Sequence, residues 1–287
     1  MYYRRKIILS LLEKFGGEMD NTRFQKLLFL FTKEQEKPSF DFVPYKYGPF
    51  SFLSYQDKRT MMKYEQLSDK DNWEKMDTKI YYNELTSIDK SILDRIYIKF
   101  YEFSDSQIIN YVYSNFPEYT INSEIKTQLS VKEKTTKDYQ SSVFFTIGYE
   151  GCSIDEYLHI LIKNNIKMLC DVRKNPISMK YGFSKNQLKN LLIKLDIGYQ
   201  HIPELGIESF KRINLNKIED YNKLFNNYYN KILPVNDNSV NNLIKLFTKH
   251  KRIAITCFEA DYNFCHRHKI AEYLQSQKDS NIKITHL

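Results

Sequence analysis

After residue 142 the chain alternates short apolar runs with longer amphipathic stretches, and few architectures accept that pattern. Residues 143–147 are an apolar run, 154–166 a helical pattern, 168–172 a second apolar run and 188–195 a second helix. A short strand at 199–202 precedes two helices near 218–233 and 239–249, and the pattern ends with a strand at 252–257, a helix at 266–276 and a strand at 282–287. Apolar runs this short suit strands buried on both faces better than buried helices. Strands that alternate with helices predict an α/β fold, a mainly parallel sheet with helices on both faces.

Upstream the periodicity is helical. One helix carries Ile7, Ile8, Leu11, Leu12 and Phe15 and is stopped by Gly16 and Gly17; the next starts near Asn21 or Thr22 and carries Phe24, Leu27, Leu28 and Phe31 on one face. A turn-rich loop over 44–51 follows, then a helical pattern at 61–67 and two more helices at 86–103 and 104–115, the latter entered through a Ser-Asp cap. Residues 126–142 are rich in Lys, Thr and Ser and lack apolar periodicity, as linkers do. The expected organisation is a smaller, mainly helical domain over 1–125, a linker over 126–142 and an α/β domain over 143–287.

The reactive side chains are confined to the second half. All four cysteines and all six histidines lie beyond residue 150, and most of the net charge of +8 arises after residue 140, where 21 basic residues face 14 acidic ones. That stretch therefore carries +7 of the +8 and the first 140 residues +1; such a basic excess suits either a lysine-rich surface or a polyanionic partner, a nucleotide or nucleic acid. Cysteines without a secretory leader read as reduced thiols, and no apolar run approaches the roughly 18 residues of a membrane span. A cytoplasmic protein with no membrane partner is expected.

In a parallel sheet the residues just past each strand gather at one edge, where ligands bind. Here those residues are Gly148, Tyr149 and Glu150 after the first strand, Asp171 and Arg173 after the second, His201 in the third, Cys257 and Glu259 after the fourth, and His286 in the last. Cys265, His266 and Arg267 open the helix that follows the fourth strand, so its free N–H groups and Arg267 are placed to receive a phosphate. Two plainer readings compete: Asp171 and Arg173 can form a structural ion pair, and Cys257 can be a buried apolar residue. The spacing C-x7-C-H-x-H over Cys257, Cys265, His266 and His268 fits no standard zinc finger. Adjacent residues at a helix start are also expected to point apart, so neither a metal nor another cofactor is expected.

These segments resemble a known family. TIGYEG (146–151), DVRKNPIS (171–178), GFSKNQL (182–188), GYQHIPELG (198–206), CFEADYNFCHR (257–267) and the final THL are similar, in order, to the blocks of the bacterial domain of unknown function 488 family. The resemblance implies an α/β domain over about 143–287, adds Ser178 to the binding residues, and assigns no activity. Ile207 stands where that family usually has a glycine. The first half resembles the Panacea antitoxin-type domain of defence operons through TRFQKLLFLF (22–31), YKYGPFS (45–51) and FSDSQIINYVYSNFPEY (103–119), with Tyr119 in place of the usual tryptophan. A winged helix over 3–35, whose recognition helix exposes Arg23 and Lys26, is the competing reading.

Paired carboxylates flanking a scissile bond are the equipment of glycosidic cleavage. The functional expectation is an enzyme acting on a nucleotide or nucleic acid, by glycosidic or phosphoester hydrolysis or transfer, linked to defence or stress. In it Asp171 or Glu150 serves as nucleophile or base, Glu259 as acid, and Arg173 and Arg267 as phosphate clamps. Gly148, Tyr149, Ser178, His201, Cys257, Cys265, His266 and His286 complete the binding set. The alternative is a non-catalytic nucleotide- or phosphate-sensing module coupled to an N-terminal domain that binds a protein partner or DNA.

Overall fold

A computed structural model describes residues 1–125, 141–212, 215, 217–277 and 282–287, so most of the expected linker lies outside the described residues. The chain divides into two compact units, Met1–Thr135 and Thr136–Leu287. No helix among the described residues is long and apolar enough to cross a membrane.

The N-terminal unit is mainly helical, with α1 (Tyr3–Lys14), α2 (Asn21–Glu34), α3 (Phe52–Lys63), α4 (Ser87–Phe100) and α5 (Asp105–Asn115). Gly16 and Gly17, at φ 94° and 89°, end α1 in a conformation other residues rarely adopt. Asp20 then caps α2 by accepting from Thr22 N at 2.7 Å and Arg23 N at 3.1 Å. The expected capping of the last helix is present as a reciprocal box between Ser104 and Gln107. The predicted loop over 44–51 is a hairpin instead, β2 (Val43–Tyr45) against β3 (Gly48–Phe50), and β1 (Glu18–Met19) pairs with β4 (Trp73–Glu74). Lys46 and Tyr47 make the turn and Gly48, at φ 91°, opens β3 directly after it, the left-handed glycine that follows many hairpin turns, while Pro44 and Pro49 mask the strands in the sequence.

A recognition helix exposing Arg23 and Lys26 is not what forms. Arg23 donates to Phe103 O at 2.8 Å and Asp105 at 2.9 Å, tying α2 to the start of α5. Lys26 is 2% exposed, and burial pushes its amine down to about 7, against the pull of Asp20. Between that value and the ordinary 10.5 the unfolded chain holds a proton that the folded chain lacks, so this group adds stability as pH rises through that window and adds nothing further below it. Urea unfolding from about pH 7 to pH 10 should therefore show wild type gaining on Lys26→Met as pH rises. Parallel curves would put the amine in water.

The C-terminal unit is the expected α/β fold. Five parallel strands, β5 (Val143–Gly148), β6 (Met168–Asp171), β7 (Gly198–His201), β8 (Arg252–Cys257) and β9 (Ile284–His286), take the order β7-β6-β8-β5-β9. The central strand β8 is wholly buried, as its unbroken apolar run requires. On one face Ile253 and Ile255 of β8, Phe144 and Cys170 pack under α10 (Asp237–His250) and α11 (Arg267–Ser276). On the other, Thr256 accepts from Tyr157 Oη at 2.7 Å, which seats α6 (Ile154–Lys163). The single helix expected near 218–233 is interrupted: α8 (Ile218–Asn227) passes into a π turn (Tyr228–Ile232) and the short α9 (Leu233–Val235). Pro234 lacks the N–H that a continuous α-helix needs there.

Candidate functional site

Successive side chains of a strand point to opposite faces, and this divides the edge residues into two groups. Asp171 is in register with Thr256 and His201, on the face of α6; Cys257 is in register with Gly148, on the face of α10 and α11. The sequence-predicted set is therefore not one cluster.

The first group is sealed. Asp171 is fully buried, and Arg173 grips it with Nε at 2.8 Å and Nη2 at 2.6 Å. Tyr199 Oη donates to the same carboxylate at 2.7 Å, and the Arg173 N–H adds a bond of 3.1 Å. Arg173 Nη1 donates to Tyr149 Oη at 3.0 Å and to Phe183 O at 2.8 Å, while the Tyr149 ring stacks on Phe183 at 4.3 Å. His201 Nε2 donates to Arg173 O at 2.9 Å and Nδ1 faces Lys185 at 3.1 Å. Ser178 accepts from Lys180 N at 3.1 Å and bonds Ser184 through its own N–H, closing the turn between β6 and α7 (Lys185–Ile193). Asp171 and Arg173 thus use their polar atoms on each other and on aromatic and backbone neighbours.

The second group is layered. Innermost are Cys257, Cys265 and His266, at 3%, 0% and 2% exposure. His266 Nδ1 lies 3.8 Å from Cys257 Sγ and 3.9 Å from Cys265 Sγ, and its Nε2 meets Val172 O at 3.2 Å. The expectation that adjacent residues at this helix start point apart does not hold, because Cys265 sits in an extended conformation just before the helix and swings its sulfur alongside the His266 ring. Burial pushes the Cys265 thiol up, but Cys257, His266 and Arg267 outweigh it and hold it well below the usual thiol range. Cys257 moves the other way, through its contact with Cys265 and then burial.

Above this layer lies Glu259, with Oε2 3.4 Å from Cys257 Sγ and Oε1 in an ion pair of 2.6 Å with Arg212. Its side chain is 19% exposed and that of Arg212 24%, so this pair reaches solvent where Asp171 and Arg173 do not. Burial, and then Cys265, raises the Glu259 carboxyl above its ordinary range, while Arg212 opposes the shift. Sequence reasoning missed Arg212, which sits in a short 3-10 turn, Ser209–Arg212, where no periodicity marks it. Its one signal was scarcity: it is one of four arginines after residue 140.

The loop carrying Glu259 is pinned from both sides. Tyr149 N and Glu150 N donate to Phe258 O at 3.0 and 2.8 Å, and Glu150 Oε2 accepts from Ala260 N at 3.0 Å. From beneath, Arg267, wholly buried, donates to Glu259 O and to Ala260 O, the latter at 2.7 Å. Gly148 is required for this approach: a Cβ there would stand 1.8 Å from Glu259 O. Glu150 and Arg267 are thus both spent on holding the loop, whatever else they touch.

Beside the loop opens a cleft of about 690 Å³ walled by Tyr221, Phe225, Tyr262, Phe264, His268 and His286. His286 accepts from or donates to Thr146 Oγ1 at 2.8 Å and stacks on Tyr262 at 3.9 Å.

Residues 153–274 match the family model described as Domain of unknown function DUF488. This stretch is similar to the DUF488 family. The match takes in β6, β7, β8, the Glu259 loop and most of α11, and leaves out the glycine turn after β5, β9 and the N-terminal unit. No curated protein and no solved structure matches the chain.

The C-terminal unit yields two predictions. Removing one partner of a buried ion pair typically costs about 3–5 kcal/mol, because the other charge is left unpaired. Arg173→Met should therefore lower stability by about that amount in chemical denaturation, whereas Glu259→Gln, partly open to water, should cost about 1 kcal/mol or less. Gly148→Ala should leave the fold standing but speed hydrogen exchange at Ala260, whose N–H bond to Glu150 loosens as the Glu259 carbonyl is pushed away; unchanged exchange there would mean that the loop is held by other contacts.

Proposed function

We propose that the C-terminal unit is an enzyme that hydrolyses or transfers at a glycosidic or phosphoester bond of a nucleotide-like substrate, free or within nucleic acid. The observation that carries this reading is the half-open Glu259–Arg212 pair at the carboxyl end of the central strand, 2.6 Å apart. An arriving phosphate competes for the guanidinium, which matches it in a forked pair of bonds, and releases the carboxylate for acid–base work on the bond beside it. The adjoining cleft supports the substrate class: its volume falls in the ligand range of roughly 300–1,000 Å³, and flat aromatic rings stack on bases. In this reading Glu259 and Arg212 act, while Asp171, Arg173, Glu150 and Arg267 keep the frame rigid. The N-terminal unit supplies contact with a protein partner or DNA.

The alternative, a sensing module, rests on the same pocket and differs only in turnover. Purified full-length chain is incubated with a panel of nucleosides, nucleotides and short oligonucleotides, followed by chromatography and equilibrium binding. Wild type should release a cleaved base or phosphate, Glu259→Gln should bind without turnover by at least about tenfold, and Arg212→Ala should lose binding by a similar factor. A ligand that stays intact at stoichiometric occupancy favours sensing. Absence of both binding and turnover across the panel in folded wild type sinks both readings.

A further inference from the structure

Beneath the Glu259–Arg212 pair lies chemistry that the proposed reaction does not use. Two sulfurs and one imidazole nitrogen, from Cys257, Cys265 and His266, lie within 4.8 Å of one another, buried on the face of α11. We infer that these three residues bind a zinc ion.

Four features of the site carry this. A tetrahedral zinc with sulfur at about 2.3 Å and nitrogen at about 2.0 Å separates the two ligand atoms by about 3.5 Å. His266 Nδ1 stands 3.8 and 3.9 Å from the two sulfurs, so closing on an ion asks for a few tenths of an ångström at each. The other ring nitrogen, Nε2, faces Val172 O at 3.2 Å, and a carbonyl can only accept. That bond places a proton on Nε2, and Nδ1 is the ring nitrogen that faces the two sulfurs. A backbone acceptor behind a histidine ligand is how metal sites fix its tautomer and ring orientation. Two soft sulfurs with one imidazole select zinc over magnesium or calcium, which take oxygen. Three protein ligands leave one corner of the tetrahedron, and Glu259 Oε2 lies close by, 3.4 Å from Cys257 Sγ.

The sulfurs bind as thiolates, any remaining thiol or imidazole proton on a ligand atom passing to solvent; each sulfur and Nδ1 donate a lone pair to the cation, and no electron is transferred. Two thiolates then meet one divalent charge. Tyr228, fully buried and with its ring 5.5 Å from that of His266, closes the inner side with its hydroxyl turned away to Leu205 O at 2.6 Å. The sulfurs therefore face a wall with no competing donor from that side.

Zinc content is read without any substrate, so this site stands or falls independently of the reaction proposed above. Full-length chain produced with supplemented zinc and dialysed exhaustively should retain one equivalent by elemental analysis. Cys265→Ala and His266→Ala should each lose most of it, while Glu259→Gln should keep it. Because a buried variant can fail to fold, wild type is also stripped with a chelator and titrated with cobalt(II). A thiolate-to-cobalt charge-transfer band with intense tetrahedral ligand-field bands, displaced by zinc, is the expected result. Substoichiometric zinc with no charge-transfer band in folded wild type would overturn the inference, as would full zinc retention in His266→Ala or a native Cys257–Cys265 disulfide found by thiol counting and mass.

Discussion

The geometry of the C-terminal unit hangs on one buried guanidinium. Arg267 opens α11 and directs Nη1 and Nη2 to the carbonyls of Glu259 and Ala260, eight and seven positions upstream. A cation with two forked donors can hold two consecutive carbonyls at once, which fixes the direction of the chain between them. That leaves the Glu259 side chain no choice of side: it faces Arg212 and the thiols. Gly148 makes the arrangement sterically possible, and Glu150 closes it from above. A lysine at position 267 would offer a point charge and no fork, and the loop would lose its fixed direction.

The second organising constraint is the two-residue repeat of extended chain. It assigns Asp171 and its arginine to a dry layer of tyrosine and phenylalanine, and Cys257 with its neighbours to the opposite face. The two groups do different physical work. The sealed one resembles a strut, with each charge answered and no face open to a ligand. The layered one leaves a carboxylate and a guanidinium in reach of water above a nest of sulfur and nitrogen.

Much of this was legible from the residues, and what was not has identifiable causes. The unbroken apolar runs pointed to the parallel sheet, because a strand buried on both faces has no need to alternate, and the Ser-Asp pair at 104–105 marked a helix start. The gathering of residues at the strand ends was read correctly, but treating it as a single cluster ignored which way each side chain points. Arg267 next to a helix start suggested a phosphate, yet its donors go to nearby carbonyls, a use that leaves no trace in composition. Arg212 lay in a stretch without periodicity, and only its three-dimensional neighbour gives it meaning. Lys26 shows the converse: a lysine between Gln25 and Leu27 reads as surface, but the helix around it is buried nearly all round.

The strand order has a consequence for how the unit comes into being. β8, the central strand, is the fourth of the five along the chain, and without it β5 with β9 and β6 with β7 are two separate pairs. Nothing joins β5 to β6 until residues 252–257 have been synthesised and have slid between them. Closing contacts of such long sequence separation is slow, and for that interval the apolar edges of the early strands stand open. A ribosome-bound fragment ending before β8 is thus a species prone to association, and the cell's chaperones would meet this chain at that stage rather than after release.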